Sequence, residues 1–140
     1  MLAVDTDIMV DVLRRYPPAL HWLHSLGSEV LIIPGFVVLE LLKGCRNEHE
    51  TATLLAWVGK FRIYWPTEND CNRALARLAF GRLSRRLSIP DLLIAETAVG
   101  LDLRLCTFNV KHFQYIRPGV IHFTPWRPPN NHPGGAMRSK

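Results

Sequence analysis

The 140-residue sequence lacks the cysteine pattern of a disulfide-stabilised protein or of a zinc site. Its three cysteines, Cys45, Cys71 and Cys106, are far apart, and none stands in a Cys-x-x-Cys or Cys/His ligand spacing. An odd number of widely spaced cysteines is typical of reduced thiols packed inside an intracellular protein. The sequence therefore predicts a cytoplasmic protein whose core forms without disulfides or zinc.

The sequence also lacks long apolar runs. A membrane-spanning helix needs about 20 consecutive apolar residues, and no stretch approaches that length. No charged segment precedes an apolar core at the N-terminus, so we predict neither membrane insertion nor a signal peptide. With 48% hydrophobic residues, the chain suits one domain with a sizeable core. We place that domain at 1–126 and predict a disordered Pro- and Gly-rich tail at 127–140, which has too few apolar residues to pack.

Negative charge is in short supply. The chain has 12 Asp and Glu residues against 17 Lys and Arg residues, so its formal net charge is +5 with neutral histidines. A basic excess favours polyanionic partners such as nucleic acid or an acidic protein segment, the alternative being that it only aids solubility. Because carboxylates are few, their positions are more informative than the net charge.

Apolar runs of strand length alternate with helical patterns along the chain. The strand-like runs cover 1–4, 29–34, 61–65, 103–108 and 120–125. The helical patterns cover 6–16, 35–44, 48–58, 67–83, 91–98 and a short turn that reaches Tyr115. We expect Pro17 and Pro18 to stop the first helix, and 67–70 to form a helix-capping box. Continuous apolar strands that alternate with helices predict a parallel sheet covered on both faces, which is an α/β fold.

Three carboxylates interrupt apolar stretches: Asp5 in "MLAVDTD", Glu40 in "GFVVLELLKG" and Asp91 in "SIPDLLIAETA". An isolated ionised carboxylate is costly to remove from water, so each needs a partner or an outward orientation. In parallel sheets, ligands gather at the carboxyl ends of the strands. We therefore expect these side chains to converge at that edge.

Each carboxylate also has an ordinary structural explanation. Asp5 and Asp91 could cap helix N-termini, and Glu40 could lie on an exposed face or pair with Lys43. If all three meet, two unit charges about 4 Å apart repel by about 4 kcal/mol at an effective dielectric of about 20. Such a cluster persists only with a divalent cation or with raised pKa values. All-oxygen ligands suit Mg²⁺ or Mn²⁺ rather than zinc.

Four motifs occur in order along the chain: "VDTDIMVDVL", "FVVLELLKG", "IPDLLIAETA" and "LCTFNVKHFQYI". In their order and spacing over residues 1–126, the chain resembles the PIN-domain ribonucleases, and more closely the VapC-type toxins of type II toxin–antitoxin pairs. The resemblance implies a PIN-like three-layer sandwich in which helices flank a central, mainly parallel twisted sheet. It also implies a metal-dependent endoribonuclease.

The resemblance assigns roles to particular residues. It implies an acidic pocket of Asp5, Glu40 and Asp91 that binds Mg²⁺ or Mn²⁺ and activates a water to hydrolyse RNA phosphodiesters. Asp5 and Asp91 would hold the ion, while Glu40 would bind it through water or orient the nucleophile. The hydroxyls of Thr6 and Thr107 match the family's supporting shell.

The chain departs from the family pattern at one place. Family members often carry a fourth acidic residue at the position of Asn109 or of His112, and this chain has a carboxylate at neither. Asn109 could ligate through its amide oxygen, and Asp7 could substitute, although Asp7 could equally interact only with its own helix end. Glu96 lies about 140° around an ideal helix from Asp91, so we leave it out. We expect one tight metal ion and a weaker one that the substrate completes.

Partners follow from charge and from the resemblance. Basic side chains are candidates for contacts with the RNA backbone, the alternative being solvated helix faces. These are Arg14, Arg15, Arg82, Arg85, Arg86 and Lys111. The resemblance further implies a homodimer and a cognate antitoxin protein.

Other function classes fit less of the sequence. "DTDIMV" is similar to the nucleophile strand of haloacid-dehalogenase-type phosphatases, in which Asp5 would be phosphorylated. That chemistry needs a later acidic pair, which is missing near Thr107, and Met9 fits imperfectly. A receiver domain would need an acceptor Asp after the strand that ends at Trp65. A non-enzymatic alternative is a PIN-like module that only binds a partner.

Overall fold

A parallel sheet forms the centre of the molecule. In the computed structural model its strands are β1 (Leu2–Val4), β2 (Leu31–Pro34), β3 (Arg62–Tyr64), β4 (Arg104–Cys106) and β5 (His122–Phe123). Their order across the sheet is β3-β2-β1-β4-β5, and every pair of neighbours is parallel. The predicted α/β fold with a parallel sheet is confirmed.

The structure describes residues 1–84, 86–118, 122–123 and 126. Two predictions, the disordered tail at 127–140 and the RNA contact of Arg85, lie outside these residues. The predicted last strand, 120–125, is described only at its centre.

Helices connect the strands. Within the described ranges they are α1 (Thr6–Leu13), α2 (Pro17–Ser25), α3 (Gly35–Lys43), α4 (Glu48–Val58), α5 (Glu68–Phe80), α6 (Ile89–Gly100) and α7 (Val110–Ile116). The capping box predicted for α5 is present, because the Thr67 hydroxyl accepts from the Asp70 N–H and the Asp70 carboxylate accepts from the Thr67 N–H. No described helix has the length and apolar character needed to cross a membrane.

Two predicted boundaries are wrong. The first helix was predicted to run up to Pro17, but α1 ends at Leu13 and Arg15 takes a left-handed conformation. Pro17 and Pro18 instead begin α2, at positions where the missing N–H leaves no helical hydrogen bond unmade. The long helix α5 ends at Phe80 rather than near Leu83, because the Gly81 N–H closes the last turn on the Arg77 carbonyl.

The core lies between the sheet and its helices, and α6 is its most enclosed helix. Leu92, Ile94, Ala95 and Ala98 on α6 are completely buried, because α6 packs against α3, α5 and α7 as well as against strands β2 and β4. This explains the nearly continuous apolar sequence of α6.

Cys106, at the end of β4, is enclosed by this core, and burial raises the pKa of its thiol to about 12. Thiolates are the reactive form, so we expect a thiol reagent at pH 8 to modify the exposed Cys71 at least about 1000-fold faster than Cys106. Counting modified thiols with and without denaturant tests this, and Cys71→Ser should remove the fastest phase and leave the slower reaction of the partly exposed Cys45. A fast phase that survives in Cys71→Ser but disappears in Cys106→Ser would contradict the prediction.

A buried ionic network joins α5 to α6. Glu96 is completely buried, and its Oε2 accepts from Arg73 Nε at 2.8 Å. The same guanidinium contacts the Asp70 carboxylate and donates to the Glu96 carbonyl at 3.0 Å. Arg117 Nε lies 3.4 Å from Glu96 Oε1, an ion pair without hydrogen-bond geometry. The hydrogen bond to Glu96 is the main reason why the pKa of Arg73 is raised.

Candidate active site

The fold brings the predicted site residues to the carboxyl edge of the sheet. Asp5 directly follows β1, Thr107 directly follows β4, and α3, which carries Glu40, begins where β2 ends. Helix α6 precedes β4 through a short connection, so α6 runs back along the sheet and its first turn, with Asp91, lies toward the same edge. Asp5, Glu40 and Asp91 therefore come from three separate elements.

Asp5 is held between two strands. Its side chain is completely buried; Oδ1 accepts from the Thr6 N–H at 2.8 Å and Oδ2 accepts from the Thr107 hydroxyl at 2.7 Å. The Thr107 hydroxyl oxygen itself accepts from the Asn109 N–H at 3.0 Å. Asp5 is thus the N-cap of α1, as one interpretation of the sequence predicted, and it is also fixed by a residue 102 positions away.

Thr6 connects Asp5 to Glu40. Its backbone N–H donates to Asp5, and its hydroxyl donates to Glu40 Oε1 at 3.1 Å. Glu40 is half-buried in the middle of α3, on the side that faces α1. Val37, Val38 and Leu41 of α3 pack into the core, Leu39 is exposed, and the Glu40 carboxylate faces the site.

Asp91 forms a second pair. The N-cap of α6 is Ser88, whose hydroxyl accepts from the Asp91 N–H at 3.3 Å, so the interpretation of Asp91 as the cap is wrong. The Asp91 carboxylate is buried, and its Oδ2 lies 3.0 Å from Nε2 of His112 on α7. From the sequence, His112 was named only as a position that lacks the family's carboxylate, and its contact with Asp91 was not predicted. Its position on the segment that continues from Thr107 was the signal for such a contact.

The three carboxylates do not form a ready-made metal cluster. In the part of the chain that the structure describes, no three His, Cys, Asp or Glu side chains are grouped closely enough to hold a metal ion. Asp5 and Glu40 are linked through Thr6, and Asp91 is paired with His112. The predicted ligand and catalytic roles therefore stay predictions.

The predicted supporting residues Asn109 and Asp7 make hydrogen bonds of different kinds. The Asn109 backbone contacts Thr107. Asp7 is buried, and its Oδ1 accepts from the N–H of Ile8 at 2.8 Å within the first turn of α1, as the helix-end alternative predicted.

A cleft of about 780 Å³ opens beside Thr6 and Glu40. Val10, Leu13 and Leu54 give it apolar walls, and Arg14 lies at its side. At its rim, Arg46 Nη2 is 2.8 Å from Glu50 Oε1, and the Arg46 backbone N–H is the main reason why the pKa of Glu50 is lowered. This rim pair is mutually compensated, which leaves Arg14 as the predicted RNA contact that lines the cleft.

The other predicted RNA contacts are spread over the surface. Arg15 and Arg82 stand in left-handed backbone conformations, with φ of 58° and 55°, just after α1 and α5. Arg86 is exposed in the connection to α6, and Lys111 is exposed beside His112. Arg14 thus lines the cleft beside Thr6 and Glu40, and Lys111 directly precedes His112, which contacts Asp91.

Comparisons with known proteins identify the family of the chain. The PIN domain family model matches residues 2–117. The chain is 34% identical to Ribonuclease VapC10 of Mycobacterium tuberculosis (strain ATCC 25618 / H37Rv) over 143 residues, which cover 99% of this chain and 100% of VapC10. It is 38% identical to Ribonuclease VapC19 of the same strain over 122 residues, which cover 81% and 92% of the two chains.

A solved structure gives the same result for the fold. A chain of a toxin–antitoxin complex from Klebsiella pneumoniae is similar with a TM-score of 0.71 and 25% identity, covering 91% of this chain and 99% of that chain. Family model, sequence relatives and fold thus point the same way. The chain belongs to the PIN-domain family and, within it, to the VapC group.

Proposed function

We propose that this chain is a metal-dependent endoribonuclease and the toxin of a toxin–antitoxin pair. The observation that carries the proposal is the buried Asp5, fixed by Thr6 and Thr107 at the sheet edge to which α3 and α6 bring Glu40 and Asp91. The VapC relatives bear the name ribonuclease, and the Klebsiella pneumoniae neighbour is a toxin–antitoxin complex.

The donor set fits a hard divalent cation. Its candidate ligands are carboxylate oxygens that neighbouring N–H and hydroxyl groups hold in place. Mg²⁺ is usually bound by one or two carboxylates together with waters and substrate phosphates, so the absence of a three-ligand cluster in the described residues is compatible with it. Asp5 and Asp91 would hold Mg²⁺ or Mn²⁺, with the amide oxygen of Asn109 as a further donor.

Each residue contributes a distinct part of the reaction. A bound divalent ion lowers the pKa of a water and offsets charge on the phosphoryl oxygens. Thr6 and Thr107 fix the Asp5 carboxylate in one orientation. Glu40, half-buried and hydrogen-bonded to the Thr6 hydroxyl, orients the attacking water. Arg14 and Lys111 contact the phosphate backbone of the RNA, which positions it without reading bases.

The proposed partners are a cognate antitoxin and a second copy of the chain, in the cytoplasm. The antitoxin follows from toxin–antitoxin complexes among the structural neighbours. The phosphatase alternative finds no support, because the chain matches the PIN domain family model over residues 2–117. A measurement of RNA cleavage distinguishes the proposed ribonuclease from the non-enzymatic alternative, a PIN-like module that only binds a partner.

Cleavage and metal binding test the proposal together. We expect the wild type to cut total RNA with Mg²⁺ or Mn²⁺ and to stop when the metal is chelated, and the mapped cut sites will show its base preference. Metal at 100 times its Kd stabilises a folded protein by about 2.7 kcal/mol, so the melting temperature should rise by several degrees. Asp91→Asn should lose both effects. Undiminished cleavage in excess chelator, or by Asp91→Asn, would contradict the proposal.

A further inference from the structure

We propose that His112 is a direct metal ligand that makes this site prefer Mn²⁺ to Mg²⁺. The inference rests on the proposed metal-dependent function, because it assumes an ion at Asp91. It concerns a position where the family resemblance led us to expect a carboxylate or nothing. The structure places an imidazole there, against a carboxylate already assigned to the metal.

The spacing of the two side chains matches that of neighbouring ligands on one ion. His112 Nε2 and Asp91 Oδ2 are 3.0 Å apart. Adjacent ligands of an octahedral ion with metal–ligand distances of about 2.1 Å are separated by that distance times √2, or about 3.0 Å. The separation of the two atoms therefore suits one ion, which both would bind once the imidazole turns from its contact with the carboxylate toward that ion.

The surroundings keep His112 in place but leave the pair accessible. Its ring packs edge-on against Phe113, with centroids 5.6 Å apart, and Phe113 is completely buried on α7. The side chain of His112 is 31% exposed and that of Asp91 is 8% exposed, so the pair lies at the boundary between core and solvent. An ion there would retain waters and could meet a phosphate.

The chemistry of the donors determines which ion is preferred. Mg²⁺ favours oxygen ligands and gives up its waters reluctantly, whereas imidazole binds first-row transition metals more readily. Replacing a carboxylate by a neutral imidazole also removes one negative charge, which weakens Mg²⁺ most. A hydrogen bond to an ionised Asp91 carboxylate requires the proton on His112 Nε2, because the carboxylate can only accept. On ligation that proton would pass through solvent to Nδ1, and the net charge of the neutral ring would be unchanged.

Pulsed electron paramagnetic resonance of bound Mn²⁺ tests the ligation directly in the full chain. A coordinated imidazole produces ¹⁴N modulation of the Mn²⁺ echo. We expect modulation in the wild type, its loss in His112→Gln and its retention in His49→Gln, since His49 lines the neighbouring cleft. Bound Mn²⁺ without ¹⁴N modulation would show that His112 is not a ligand, and modulation that His49→Gln removes would identify His49 as the nitrogen ligand instead; either result would overturn the inference.

Calorimetric titration tests the preference. His112→Asp should raise the affinity for Mg²⁺ relative to Mn²⁺ by about tenfold, and an unchanged ratio would overturn the inference. If Mn²⁺ binds through Asp91 without nitrogen ligation, the result contradicts the role of His112 but not the proposed function. If the wild type binds no Mn²⁺, or if Asp91→Asn binds it as tightly as the wild type, both the role of His112 and the proposed metal-dependent function are contradicted. Circular dichroism melts establish that the variants fold.

Discussion

Asp5→Asn is expected to lower the rate of RNA cleavage by more than about 100-fold while the protein melts at nearly the same temperature. Loss of a residue that merely supports a metal ligand typically costs about 10–100-fold in metal affinity or activity, and Asp5 is assigned as a ligand itself. Asn keeps the shape of the side chain and can still accept from the Thr6 N–H. It weakens the contact with Thr107, but it also removes the cost of burying an ionised carboxylate.

Asp102→Asn is the matched control for this experiment. Asp102 is exposed between α6 and β4, at the opposite edge of the sheet, and its φ of 55° is a conformation that Asn tolerates. Initial cleavage rates on one RNA and thermal melts of both variants should show a loss only in Asp5→Asn. If Asp5→Asn cleaved at the wild-type rate, or if both variants lost activity equally, Asp5 would not be the metal-binding carboxylate.

Most of the fold was predictable because its signals are local. The sequence pattern predicts the bounds of α4, and the capping box of Thr67 and Asp70 predicts the start of α5. Alternation of apolar runs with helices was sufficient for a parallel sheet. Helix α2 was missed because a Pro-Pro pair is compatible both with the end of one helix and with the start of the next. Only the packing of the residues that follow decides between the two.

The candidate site was predictable only in part, because its contacts join distant segments. Topology was enough to expect Asp5, Glu40 and Asp91 at one edge of the sheet, and the structure brings them there in two linked groups. The partner of Asp91 depends on which face of α7 meets α6, which no local pattern encodes. Glu96 illustrates the same point, since spacing alone excluded it from the site without revealing its arginine partners.

Arg73→Met is expected to lower the free energy of unfolding by about 3 kcal/mol, because it removes one partner of a buried ion pair. Glu96 is completely buried and would retain only Arg117, at 3.4 Å and without hydrogen-bond geometry. The Asp70 carboxylate and the Glu96 carbonyl would lose the same guanidinium. Arg73 is one-third exposed, so solvent takes up part of the loss and the effect should stay near the lower end of the usual range for such pairs. Denaturant unfolding measures it.

Two further variants separate the buried pair from a general effect of losing an arginine. Arg46→Met removes an arginine from the exposed pair with Glu50 and should leave the denaturation midpoint unchanged within error. Arg73→Met combined with Glu96→Met removes both charges of the pair and should recover part of the lost stability, because Glu96 no longer needs a cation while Asp70 and Arg117 still lose their partners. If the double variant were less stable than Arg73→Met alone, Glu96 would be stabilised by Arg117 and its surroundings rather than by Arg73.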